Sequence, residues 1–312
     1  MLSLSRVHPL KRVPTPAGVK MNIHVKCGPV VFELRDFCNK SPFETHWWRL
    51  DPFATDSPSG NTVTINFNKT DVRLTDFAVV NQEKDGFYSR EVLKANGTTV
   101  CRLIRNSTGE TIISIGIDSD YKIITLIEDN TQTEAVAVFE FIGRYAMHAM
   151  IEYGILPFHG VLMEHNGKGI IICAPSGVGK TTHARLWRDE KNALIINGDN
   201  ACCHKENGVW KGFGIPWCGT SGESVNRSAE IAAIVVLERG AENKVYRLEE
   251  YDAFRKLLPL IHYPSWCVDK TNAATELCAD FLKNIPAFRL ECRPDAQAVE
   301  TLLKELEGVY GG

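Results

Sequence analysis

Apolar positions change their spacing near residue 133. Before it they alternate with polar residues or gather in short β-branched runs, the period of strands. Val63, Ile65 and Phe67 alternate after Gly60-Asn61. The run 100–105 follows Asn96-Gly97, a dipeptide suited to the tight turn of a hairpin. Two further runs, 111–117 and 121–127, flank Asp118-Ser119-Asp120 and predict another hairpin. Residues 21–132 therefore read as a small β-rich domain. Trp47 and Trp48 within it are candidates for a ligand platform or for packing.

From 133 to 153 the period becomes helical. Ala135, Val138, Phe139, Ile142, Ala146 and Ala149 recur at helix spacing, and Gly154 suits the left-handed residue that ends a helix. This segment, 133–154, is expected to link two domains, with His148 packed or partly exposed among its apolar neighbours. Beyond it, apolar runs at 169–173, 193–196, 231–237 and 245–248 alternate with helical and loop segments. Helices are predicted over 251–260 and 271–282, then a strand at 288–291 and a closing helix at 295–307. Such alternation predicts an α/β domain over 155–312. Residues 1–20, basic and punctuated by proline, read as a flexible segment.

Composition changes this picture little. The net charge of −3 gives no electrostatic case for nucleic acid or an anionic membrane. No apolar run is long enough to span a bilayer. The 10 cysteines form no C-x-x-C pair. Without a recognisable signal peptide they are expected to be reduced core residues of a cytoplasmic protein.

Chemistry enters at 174–181. Pro175, Ser176, Gly177, Val178, Gly179, Lys180, Thr181 and Thr182 follow an apolar strand and precede a helical run, as a P-loop requires. Glycines there let the backbone approach a phosphate, and loop amides point at the anion. Lys180 is placed to reach the β- and γ-phosphates and the Thr181 hydroxyl to bind Mg²⁺. The expected ligands are ATP and Mg²⁺.

The run His159-Gly160-Val161-Leu162, then Gly167 and Gly169, then Ser176-Gly177-Val178-Gly179-Lys180, resembles the catalytic domain of HPr kinase/phosphorylase. That family comprises bacterial serine kinases related in fold to ATP-dependent phosphoenolpyruvate carboxykinase. A looser HPr-kinase-like group is similar too, carrying an extra N-terminal domain and a Pro-Trp-x-Gly segment, here Pro216-Trp217-Cys218-Gly219. The resemblance covers about 140–308. It implies an α/β P-loop kinase domain of HPr kinase/phosphoenolpyruvate carboxykinase type, preceded here by the smaller β-rich α+β domain. It also implies a serine hydroxyl acceptor on a peptide, protein or amino acid, and homo-oligomers. The segment by which HPr kinases receive HPr is not recognisable, which argues against HPr as the acceptor.

A carboxylate is still needed to take the acceptor proton. Leu194-Ile195-Ile196-Asn197-Gly198-Asp199-Asn200 is an apolar strand ending in one. HPr kinases carry two adjacent aspartates there; this chain has only Asp199, a candidate base, metal ligand, or both in turn. Asn200 could orient a metal-bound water, and Glu223 or Asp189 could supply a second carboxylate. His159 matches a family histidine near the transferred phosphate. Segment 211–227, rich in glycine, reads as a loop closing over the site, with Arg227 a candidate for steadying phosphoryl charge. Three readings follow: a kinase, a P-loop ATPase assisting peptide modification, and a nucleotide-dependent peptide-binding protein.

Overall fold

A computed structural model describes residues 21–37, 46–56, 60–95, 97–129 and 134–310. It is a mixed α/β structure built on two large sheets. The first contains β1 (Met21–Cys27), β2 (Val30–Phe37), β3 (Asn61–Asn66), β4 (Ala78–Lys84), β5 (Tyr88–Ala95), β6 (Thr98–Arg105), β7 (Thr111–Ile117) and β8 (Ile123–Asp129). Their order across the sheet is β1-β2-β3-β8-β7-β6-β5-β4. Both predicted hairpins form, as β5–β6 and β7–β8. Asn96 of the first turn lies outside the described residues. A short helix, α1 (Trp47–Leu50), follows β2 in the chain.

The periodic segment after this sheet folds as α2 (Ala135–Met150). Thr133 lies outside the described residues. A 3-10 turn over Ile151–Tyr153 then ends at Gly154, whose φ of 68° is the left-handed conformation expected there. From Val138 onward α2 is apolar on nearly every side, as a helix buried all round should be. It shares one core with Phe32 and Phe53 of the first sheet region and with Phe213, Ile215 and Trp217 from beyond the P-loop. His148 is buried in that core, against Tyr145 and Trp266.

The second sheet contains β9 (Ile155–His165), β10 (Lys168–Cys173), β11 (Leu194–Asn197), β12 (Asn200–Glu206), β13 (Val209–Phe213), β14 (Ser228–Arg239), β15 (Lys244–Arg247) and β16 (Ala287–Cys292). Strands β10, β14 and β16 run parallel to their neighbours in that set. Strand β9 pairs with β10 along one edge and with β11 and β12 along the other. Because side chains alternate faces along a strand, the apolar run of β10 feeds two cores. Ile171 and Cys173 join Phe158, Trp210 and Phe281 on the side of α4 (Glu250–Leu257) and α5 (Val268–Asn284). Ile170 and Ile172 join Met163, Trp187 and Leu302 on the side of α3 (Lys180–Lys191) and α6 (Ala296–Tyr310).

Two parts of this half depart from the sequence reading. The β12–β13 hairpin turns at Asn207-Gly208, both at positive φ (51° and 84°), and was not among the predicted elements. Segment 211–227 is not a free loop over a site. It begins in β13, and Ile215, Trp217 and Cys218 are buried in the core. Among the described residues no helix is long and apolar enough to cross a membrane. The nine described cysteines are all free, and eight of them are buried.

Candidate functional site

The P-loop lies between the end of β10 at Cys173 and the start of α3 at Lys180. Ala174 is buried, whereas Pro175, Ser176 and Gly177 are exposed. Gly177 and Gly179 have φ of 79° and 127°, and a Cβ on either would meet nothing within 4 Å. Backbone conformation, not space, therefore demands glycine at both. The first amides of α3 have no partner within the helix, so they face an incoming anion with the positive end of its dipole. Thr181 is half-buried and Thr182 exposed at this end.

Arg239, at the end of β14, braces the loop from beside it. Its guanidinium donates to the carbonyls of Gly177 and, at 3.3 Å, of Val178. A cavity of about 440 Å³ opens next to these groups, lined among others by Thr182, His183, Arg239 and Arg293. Arg239 was not among the sequence candidates, since the run 231–237 gave no reason to look two residues past its end.

Lys180, His159 and Asp199 come together across three strands. Strand β9 carries His159 between β10, which leads into the P-loop, and β12, which follows Asp199. Gly160 N–H donates to the Asp199 carbonyl at 2.9 Å, fixing that register. Lys180 Nζ donates to Ala174 O at 2.8 Å and to His159 Nε2 at 3.0 Å. Accepting at Nε2 leaves the imidazole proton on Nδ1, which lies 3.7 Å from Asp199 Oδ1. Burial lowers the pKa of both Lys180 and His159, and the neighbouring ammonium lowers the imidazole further, against the pull of Asp199.

Asparagines build the turn that presents Asp199. Buried Asn197 accepts from the amides of Asp199 (3.0 Å) and Asn200 (2.8 Å), and donates to the carbonyls of Ile215 and Trp217. Asn200 points inward, which corrects its assignment to a metal-bound water. Its amide donates to Trp217 O at 3.1 Å, and its carbonyl oxygen accepts from His262 Nε2 at 3.0 Å. A carboxylate in its place would face the Trp217 carbonyl, so the missing second aspartate has a structural counterpart in this bridge.

The remaining candidates separate. Arg227 is not brought to the group. It makes a two-pronged pair with Glu164, five residues along β9 from His159, a span of roughly 16 Å. Asp189 is exposed and pairs with Arg188. Glu223 lies beside Gly198 but is taken by Arg188, at 2.7 Å, and Arg185. The acid that does approach Asp199 is Glu140 of α2, whose ionisation the Asp199 charge opposes. A lone glutamate within an apolar helix carried no signal of this.

Among the described residues no three His, Cys, Asp or Glu side chains could enclose a metal ion. Magnesium carried by a nucleotide needs less, because it keeps waters and phosphate oxygens and takes one or two protein oxygens. The Thr181 hydroxyl and the Asp199 carboxylate are hard donors of that kind.

No curated protein matches the chain significantly. Among solved structures, the HPr(Ser) kinase/phosphatase from Coxiella burnetii aligns at 12% identity, over 50% of this chain and 99% of that one, with a TM-score of 0.31. The family model described as SynChlorMet cassette protein ScmC matches residues 125–302, more than half of the chain. The chain belongs to the SynChlorMet cassette protein ScmC family.

Proposed function

We propose that the chain is an ATP- and magnesium-dependent phosphotransferase that carries the γ-phosphoryl group to a hydroxyl, a serine of a peptide, protein or amino acid. The observation that carries this reading is the row of P-loop lysine, imidazole and carboxylate, with Lys180 Nζ 3.0 Å from His159 Nε2 and His159 Nδ1 3.7 Å from Asp199. On this reading 155–312 is a catalytic unit of HPr kinase/phosphoenolpyruvate carboxykinase type, 21–132 a β-rich unit, and 133–154 their link. The shared His-Gly-Val-Leu and P-loop motifs support it. The cytoplasm, which keeps thiols reduced, and homo-oligomers belong to the same proposal.

Loop amides and the first turn of α3 hold the phosphates. Magnesium, when bound, neutralises phosphate charge, with Thr181 and Asp199 as its protein donors. Lys180 exchanges His159 for a phosphate oxygen and neutralises charge there. Asp199 takes the proton of the acceptor hydroxyl as that oxygen bonds to the γ-phosphorus. The bond from γ-phosphorus to the bridging oxygen breaks, and its electron pair leaves with ADP. His159 steadies the Asp199 carboxylate through Nδ1–H. Because the Asp199 side chain is 31% exposed, water can reach the same group, which supports ATP hydrolysis as a second reading.

The test is Mg-ATP binding by calorimetry and ADP release, with and without serine peptides, in wild type, Lys180→Ala and Asp199→Ala. Lys180→Ala is expected to lose binding, and Asp199→Ala to bind but lose turnover. Acceptor-independent release in the wild type would mark an ATPase, and binding without turnover a nucleotide switch. Turnover that survives Asp199→Ala would overturn the assignment.

A further inference from the structure

Glu140 is the only acidic residue of α2, flanked in sequence by buried Phe139 and Phe141, with its own side chain 24% exposed. A carboxylate in such surroundings is costly unless its oxygens are taken. They are taken by groups remote in sequence. Arg49 Nη1, from α1, donates to Glu140 Oε1 at 2.9 Å, and the nearby backbone of Cys218 and Gly219 favours the charged form of the same carboxylate. Arg49 Nη1 also donates to Gly219 O at 3.2 Å. Arg49 thus ties the Glu140 carboxylate to the carbonyl of this turn.

Arg49 is itself held firmly. It is 9% exposed, and its guanidinium lies 5.2 Å from the Trp48 ring centre and 5.7 Å from that of Phe139. Asp199 lies against Gly219: a Cβ on Gly219, whose φ is 60°, would fall 2.5 Å from Asp199 Oδ2. A single glycine therefore separates the Arg49–Glu140 pair from the Asp199 carboxylate.

We propose that Glu140 and Arg49 are positioning residues for Asp199, clamping the Cys218-Gly219 turn against its carboxylate so that a helix beside the first sheet sets where the proton acceptor stands. The proposal rests on the reading of Asp199 as that acceptor. It gives the N-terminal half a part in the chemistry without contact with the reacting atoms. The ionisable groups facing Glu140 are Arg49, Asp199 and the Cys218 thiol. Burial, followed by the repulsion of Asp199, raises Glu140 to about 7 against the attraction of Arg49. Burial raises the Cys218 thiol to about 12, so it stays neutral across that range.

The experiment is carboxyl ¹³C NMR of the full chain across pH 5–9, with kinetics and ATP calorimetry on Glu140→Gln, Arg49→Met and Arg49→Lys. The Asp199 carboxyl resonance is expected to report the Glu140 midpoint as a step near neutrality, and Glu140→Gln removes that step. Turnover is expected to fall at least tenfold in Glu140→Gln and Arg49→Met with ATP affinity within twofold, and Glu140→Gln to lose an inflection of kcat near neutrality. Arg49→Lys, keeping the charge, recovers part of the rate and stands in where Arg49→Met fails to fold. An Asp199 resonance indifferent to Glu140 overturns the proposal. So does a parallel fall of turnover, ATP affinity and melting midpoint, which marks a merely structural pair. If the wild type neither binds nor turns over ATP, the proposed function fails, while the NMR coupling still decides the positioning.

Discussion

The P-loop lysine of this protein is engaged by a histidine: Lys180 Nζ donates to His159 Nε2 at 3.0 Å. The contact holds the imidazole neutral, and the ammonium is one of the causes that lower its pKa. Lys180→Met removes that positive neighbour, so the His159 pKa rises. It stays below the usual histidine value, because burial is the larger cause. A phosphate that draws Lys180 away should raise it further in the wild type, since an anion then stands nearby. Imidazole proton NMR with and without Mg-ATP reads both shifts. A His159 midpoint that does not move in Lys180→Met would show the contact to be absent in solution.

Arg227 supplies the contrasting case. Its exposed pairing with Glu164 is of a kind that contributes about 0–1 kcal/mol. Arg227→Ala is therefore expected to leave kcat and ATP affinity within twofold and to lower stability by no more than that amount. A kcat loss of tenfold or more would return Arg227 to the site.

The glycine-rich turn before α3 could be read in the sequence because its requirements are local. Positive φ, small size and a following helix fall within 174–182, and the two glycine φ values bear out that local demand. The α2 helix was legible for a similar reason, its apolar period and Gly154 terminator lying side by side. What holds Asp199 in place was not legible. Asn197, Asn200 and Glu140 look like ordinary polar residues until Trp217 and Arg49 fold against them from 17 to 91 positions away. The hairpin at Asn207-Gly208 had a turn signal, but Cys202-Cys203-His204 beside it shows no alternation to mark a strand. Segment 211–227 misled in the opposite direction. Its glycines suggested a loop, whereas its tryptophan makes it an anchor.

Arg239 should matter for nucleotide affinity without touching the nucleotide. Its guanidinium fixes two carbonyls of the loop, and hydrogen bonds from a charged donor contribute roughly 1.5–3 kcal/mol each. The arginine is exposed and one of the two bonds is long, so the loss expected is that of a single bond at the lower end, about 1.5 kcal/mol, and Arg239→Ala should weaken Mg-ATP binding about tenfold. Calorimetry measures this directly. Unchanged affinity would mean that the loop holds its shape unaided.

Gly143 and Trp217 are fitted to each other. A Cβ on Gly143 would lie 2.2 Å from two atoms of the indole, whose ring also meets Phe32 edge-on. Helix propensity alone would favour alanine at this position by ~1 kcal/mol. Overpacking costs about 1–3 kcal/mol and should outweigh it. Gly143→Ala is thus expected to lower the melting midpoint, and Gly143→Ala with Trp217→Phe to be less harmful than the two single changes added together. Strict additivity would show that the indole can move aside.

The pH dependence of stability follows from histidines buried in the neutral form. His148 and His183 are 1% and 2% exposed, and burial lowers the pKa of both, His183 to about 4. His183 Nε2 also accepts from Trp187 Nε1 at 3.2 Å, a bond its protonated form cannot make. A folded-state pKa below the unfolded value of about 6.5 means that the unfolded chain binds the extra protons. Stability from these groups is therefore complete above that pH and is lost as pH falls through it, by about 1.4 kcal/mol per unit for each histidine. His159 and His262, lowered in the same direction, add to the loss. Glu140 opposes it: raised from 4.5 to about 7, it favours the folded state as pH falls through that window. With four histidines against one glutamate, the melting midpoint should fall from pH 7 to pH 5. His148→Phe removes two buried nitrogens that have no hydrogen-bond partner among the described residues. It should leave stability at pH 8 unchanged or higher by ~1 kcal/mol, and should flatten the acid slope by about 1.4 kcal/mol per pH unit. Denaturant titrations at pH 8, 6.5 and 5 separate the two effects. An acid slope identical to that of the wild type would mean that His148 does not titrate on unfolding.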